Sequence, residues 1–140
     1  MTDLELIAVH HVSLTVRDLE VSAAWYRDVL GFVELFREEA EHRRACVMRF
    51  ADGSYSLGLV EHVPSDRDGF DATVTGLDHL AFTVASEEAL AAWADRLTAA
   101  GVEHSGAIPI PPGAILNFTD PAGIAWALCW DQPTGASTAG

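Results

Sequence analysis

Two histidines open two short stretches of alternating sequence. In "HHVSLTV" (10–16) the apolar Val12, Leu14 and Val16 take every second place, and His11, Ser13 and Thr15 fall between them. In "HLAFTV" (79–84) Leu80, Phe82 and Val84 alternate with His79, Ala81 and Thr83. Successive side chains of a strand point to opposite faces, so each stretch separates an apolar face from one bearing an imidazole beside small or hydroxyl-bearing residues. An imidazole there can ligate a metal ion or anchor a bound molecule; as an ordinary polar residue it needs only one hydrogen-bond partner.

Strand phase adds candidates. In "YSLGLVEH" (55–62), Ser56, Gly58, Val60 and His62 share a face, and Glu61 joins them only through a bulge. In "IAWALCW" (124–130), Ala125, Ala127 and Cys129 share one face while Trp126 and Trp130 take the other. Asn117 interrupts "AILNF" (114–118) at a place where it could touch a ligand. The phase of Met48 and Arg49 is left open. His10 reads as a surface or strand-end residue, and His42 and His104 as residues of polar, loop-like stretches. Several chemistries are excluded: there is no lysine to form a Schiff base, and no G-x-S-x-G elbow, Gly-rich phosphate loop or H-E-x-x-H helix.

The elements that would position these residues repeat. "HVSLTVRDLEVSAAWYRDVLGFVE" (11–34) superimposes on "HLAFTVASEEALAAWADRLTAAGVE" (79–103), and the shift that takes His11 to His79 also takes Trp25 to Trp93, Phe50 to Phe118 and Asp52 to Asp120. Each copy opens with an alternating strand, then a capping residue, Asp18 or Ser86, then a helical pattern closing at Gly31 or Gly101. Leu19, Ala23, Tyr26 and Leu30 form a core stripe in the first helix, and Leu90, Trp93 and Leu97 in the second. Trp25 and Trp93 read as packing residues. Hairpins follow: "RACVMRF" and "YSLGLVEH" around an Asp-Gly turn, then "AILNF" and "IAWALCW" around "TDPAG", where turn geometry explains Asp120. "IPIPPG" (108–113) reads as a stiff loop, a candidate lid.

The expected fold is α+β, two βαβββ modules forming a cupped mixed sheet around a central cavity, with helices on the outer faces. The modules span 1–62 and 78–131, with a linker at 63–77 and a flexible tail at 132–140.

Composition narrows the partners. The 140 residues carry 21 acidic against 8 basic groups, a formal charge of −13, which repels a phosphate backbone and argues against nucleic acid. The acidic start lacks the marks of a signal peptide, no run is long enough to span a membrane, and Cys46 and Cys129 lie apart in apolar runs; together these predict a cytoplasmic protein with reduced core thiols.

Over about residues 7–130 the two His-bearing βαβββ units, the "VRDL" turn and the closing "DPAG" turn resemble the vicinal oxygen chelate superfamily, which includes glyoxalase I, extradiol dioxygenases, methylmalonyl-CoA epimerase, fosfomycin-modifying enzymes and bleomycin-resistance proteins. The resemblance implies a homodimer and, in metal-using members, ligands from the first and last strand of each unit. His11 and His79 match the first-strand ligands. The two carboxylate positions fall on Gly58 and Ala127, so both carboxylates are missing, and Glu61 or His62 would have to supply a substitute. Two readings follow. The first is a protein that binds a small, largely apolar molecule in a cavity lined by His11, Ser13, Thr15, Gly58, Val60 and His62 from one unit and by His79, Ala81, Thr83, Asn117, Ala127 and Cys129 from the other, sequestering or sensing it without catalysis. The second is a glyoxalase-, epimerase- or dioxygenase-type enzyme in which His11 and His79 hold Zn, Fe, Mn or Ni.

Overall fold

A computed structural model describes residues 4–65 and 69–133. The repeat becomes two units in the same order: β1(His11–Thr15), α1(Leu19–Asp28), β2(Val33–Ala40), β3(Arg43–Arg49) and β4(Ser56–His62), then β5(Leu80–Thr83), α2(Glu87–Ala99), β6(His104–Ile110), β7(Gly113–Thr119) and β8(Ala125–Asp131). Each unit builds its own four-stranded mixed sheet, ordered β1-β4-β3-β2 and β5-β8-β7-β6. The first strand runs parallel to the last, and the other pairs are antiparallel.

The units divide between residues 68 and 69, inside the stretch read as a linker. Its second half is tied to the second unit, where the Phe70 N–H donates to the Ala122 carbonyl at 3.2 Å. Residues 66–68 and 134–140, the latter most of the expected tail, lie outside the described residues.

Local chemistry sets the helices. The Asp18 carboxylate accepts from Val21 N at 3.1 Å and the Ser86 hydroxyl from Ala89 N at 3.0 Å, each satisfying an orphan donor of a first turn. Gly31 and Gly101 follow the helices with φ of 79° and 74°, a left-handed conformation that side chains resist. Each helix covers one face of its own sheet. In the first unit Leu14, Val16, Leu19, Ala23 and Tyr26 are buried, together with Cys46, Met48, Leu57 and Leu59. In the second, Trp126 lies against Phe82 and Phe118, with centroids 5.0 and 6.2 Å away, among the buried Leu90, Leu97 and Leu116. Two stripe residues are only half-buried. Val29 is buried next to the half-buried Leu30, and Trp93 carries the Arg96 guanidinium 5.1 Å above its ring.

Glu61 takes the helix side of its sheet, with no bulge. Its carboxylate accepts from Leu19 N at 2.7 Å, at the positive end of α1, and from Arg44 Nη2 at 2.9 Å. It is thereby committed to joining helix and sheet.

Two expectations about loops are corrected. Residues 108–110 of "IPIPPG" are the end of β6, with Pro109 opposite Ala114, and Pro111-Pro112 form the turn into β7. β6 is an edge strand, where proline is tolerated because one row of backbone groups has no neighbour to bond. The stretch is therefore a hairpin end and not a separate lid. His104 opens β6 instead of lying in a loop; its Nε2 bonds the Thr98 hydroxyl at 2.7 Å and its Nδ1 accepts from Gly106 N at 3.0 Å.

Candidate functional site

Register fixes what each helix-free face carries. In the first sheet His11 stands beside Ser56, Ser13 beside Gly58 and Thr15 beside Val60. Across the next ladder Arg49 faces Ser56, Val47 faces Gly58, Ala45 faces Val60 and Arg43 faces His62. In the second sheet Ala81 stands beside Ala127 and Thr83 beside Cys129, while Asn117 also faces Ala127. Paired residues share a face, so each sheet gathers its own candidates on the side away from its helix, His62 at the far end of β4 and His79 just before β5. His11, Ser13, Thr15, His62, His79, Ala81, Thr83 and Asn117 are exposed; Gly58, Val60 and Ala127 are buried, and Cys129 is half-buried.

Both first-strand imidazoles use Nδ1 locally. That of His79 donates to the Asp78 carboxylate at 2.6 Å, since a carboxylate oxygen accepts. His11 Nδ1 shares a hydrogen bond of 2.8 Å with Nδ1 of His10, the rings meeting edge-on. His10, read as a bystander, thus orients the candidate ring beside it.

Gly58 is required by close approach. A Cβ there would run into the Ser13 hydroxyl and lie 3.1 Å from Ser13 Cβ. The donor set does not fit a divalent ion: the carboxylate positions are glycine and alanine, Glu61 is turned to α1, and no group of three or more His, Cys, Asp or Glu among the described residues could hold a metal.

Arg49 escaped the sequence reading because the phase of β3 was ambiguous. With Met48 fully buried on the helix side, Arg49 falls on the same face as Ser56. Knowing that Cys46 and Met48 form the core side would have found it.

Both thiols are free. Burial, with Glu34 next in effect, pushes Cys46 up to about 11, and burial followed by Asp131 raises Cys129. A raised pKa leaves little reactive thiolate at pH 8. In the native protein at that pH, a disulfide-exchange reagent is therefore expected to label the half-buried Cys129 slowly and Cys46 only after denaturant is added. Two thiols reacting in an initial burst would contradict this packing.

A βαβββ unit that occurs twice, with a histidine at the first strand of each copy, defines a class of small α+β proteins. The chain belongs to the Glyoxalase/Bleomycin resistance protein/Dioxygenase superfamily, whose model matches residues 8–128. It is similar to the solved glyoxylase/bleomycin resistance protein/dioxygenase domain from Frankia sp. EAN1pec, with 38% identity, a TM-score of 0.85 and coverage of 91% of this chain and 94% of that one. It shares its fold with the fosfomycin resistance protein FosX from Listeria monocytogenes, solved with Mn(II) and sulfate, at 20% identity, a TM-score of 0.67 and coverage of 91% and 95%. Among curated proteins it is 31% identical over 127 residues to "Putative ring-cleaving dioxygenase MhqA" of Bacillus subtilis, covering 87% of this chain and 39% of that protein. It thus spans about two fifths of the length of that relative. No helix among the described residues is long and apolar enough to cross a membrane.

Proposed function

We propose that the protein binds a small, largely apolar molecule on the histidine-bearing, helix-free faces of its sheets and holds it without metal-centred chemistry. The observation that carries this reading is the replacement of both expected carboxylates by Gly58 and Ala127, which lie in register with Ser13 and Ala81. Neither place carries a polar group of its own: the Ser13 side chain lies over Gly58 and Ala127 is fully buried, so a guest would rest on the exposed Ser13 and Ala81 beside them. Affinity would come from apolar area removed from water, at about 25 cal/mol per Å². Orientation would come from a few polar groups, Ser13, Thr15 and the imidazoles of His11 and His62 beside Val60 on the first sheet, and Asn117, Cys129 and the His79 imidazole beside Ala81 and Thr83 on the second. The likeness to MhqA supports an aromatic guest.

That likeness also favours a second reading, a metal-dependent enzyme with His11 and His79 as ligands and a third donor from elsewhere. Elemental analysis of protein purified without chelator separates the two. The first reading expects substoichiometric metal and a melting temperature raised by at least one polycyclic aromatic compound; saturation at 100 times Kd stabilises by about 2.7 kcal/mol. Stoichiometric Zn, Fe, Mn or Ni that disappears in a His11→Ala variant would overturn it.

A further inference from the structure

We propose that Arg49 binds an anionic head group, so that the guest carries a carboxylate or similar oxyanion on its apolar body. This rests on the reading that the helix-free face of the first sheet takes a small molecule, and it names the chemical class of that molecule.

The register places His11, Ser56, Arg49 and Val33 in one row across all four strands. Three of the four are hydrogen-bond donors. With strands about 4.8 Å apart, the row brings Arg49 within about 10 Å of His11, backbone to backbone, a gap that their long side chains and one head group can fill. The adjacent row, Ser13, Gly58, Val47 and Phe36, supplies a mostly apolar floor for the rest of the molecule.

Arg49 is the unsatisfied member. Its Nε is buried and has no hydrogen-bond acceptor among the described residues. Four other arginines of the unit meet carboxylates: Arg27 reaches Asp28, Arg37 reaches Glu34, Arg43 reaches Glu38 and Arg44 reaches Glu61. Arg49 forms no ion pair among the described residues. The carboxylate of the neighbouring turn, Asp52, accepts from Ser54 N at 2.9 Å instead. Gly53 in that turn leaves the guanidinium its place, since a Cβ there would lie 3.2 Å from Arg49 Nη1. A buried N–H of a cation is costly to leave unpaired, and a guanidinium fork matches a carboxylate in two parallel bonds. The formal charge of −13 repels anions at long range, so an anion can be selected here only by local donors.

The test uses naphthalene-1-carboxylate and its uncharged analogue naphthalene-1-carboxamide, titrated calorimetrically at low salt into the 140-residue protein and its Arg49→Gln and Arg49→Lys variants. The expected result is a preference for the carboxylate of about tenfold or more, corresponding to one charge-assisted bond. Arg49→Gln should lose that preference while still binding the amide, and Arg49→Lys should keep part of it. A merely structural arginine would weaken both ligands together. Equal affinities in the parent protein, or a preference that survives Arg49→Gln, would overturn the role of Arg49 and leave standing the reading that this face takes a small molecule. Failure of both compounds to bind the parent protein would overturn an aromatic guest on this face, and the head-group assignment with it.

Discussion

Replacing Trp126 with alanine is expected to cost about 3–5 kcal/mol of unfolding free energy, the range for truncating a large aromatic in a core. Trp126 is 1% exposed and sits inside β8, in register with Leu80 of β5 on one side and Phe118 of β7 on the other. Its ring is nearly parallel to that of Phe118 and tilted by 34° to that of Phe82, so truncation removes two aromatic contacts as well as buried area. Neighbours anchored in strands cannot collapse far into the space left, which puts the cost toward the top of the range. A domain is stable by about 5–15 kcal/mol in total, so the variant should lose about a fifth of its margin or more. Urea denaturation followed by circular dichroism measures it, with Trp126→Phe as the milder control. A loss below about 1 kcal/mol would mean that the cluster does not hold the second sheet. The effect reaches the candidate site through the backbone, because Ala127, the next residue, faces the other way.

Trp126 also shows why so much of the fold was legible. In the strands that open and close each unit, apolar and polar or small residues alternate strictly enough to fix which side chains meet the helix. The repeat supplied each assignment twice, from "HVSLTV" and from "HLAFTV". Asp18, Ser86, Gly31 and Gly101 act through local backbone geometry, and local geometry is what a sequence records most directly. The edge strands were harder. Every residue of β2 is exposed, with Val33, Leu35 and Phe36 between 41% and 50%, so no core side imposes a period on "VELFREEA". β6 likewise hides behind Pro109 and a register shift between His104 and Ala107. In the candidate site, phase alone placed Ser13 with Gly58 and Ala81 with Ala127. The pairing of His10 with His11, the binding of His79 to Asp78 and the orphaned Nε of Arg49 depend on rotamers, which no spacing rule encodes.

Adding a side chain at Gly58 should act on both folding and binding. Gly58→Ala is expected to cost about 1–3 kcal/mol as an overpacked site, because rotation of the Ser13 side chain moves its hydroxyl away but leaves its Cβ 3.1 Å from the new methyl. Ser13→Gly removes the obstructing atoms, and the remaining Ser13 Cα at 3.4 Å is at the margin of ordinary contact. Alone, Ser13→Gly should cost about 0.5–1 kcal/mol through the freedom it returns to the strand. Combined with Gly58→Ala it should restore most of the lost stability, a coupling within the 0.5–3 kcal/mol found for residues in contact. Guest affinity should not follow. The added methyl projects from the face where the proposed guest lies, so binding should fall by about 10–200-fold, as for a mismatched methylene in an apolar pocket, and remain low in the double variant. Recovery of folding without recovery of binding would assign Gly58 two separate roles, fitting Ser13 and making room for the guest. If affinity returned together with stability, the glycine would serve packing alone, and the argument for a guest from the missing carboxylate at that position would lose its force.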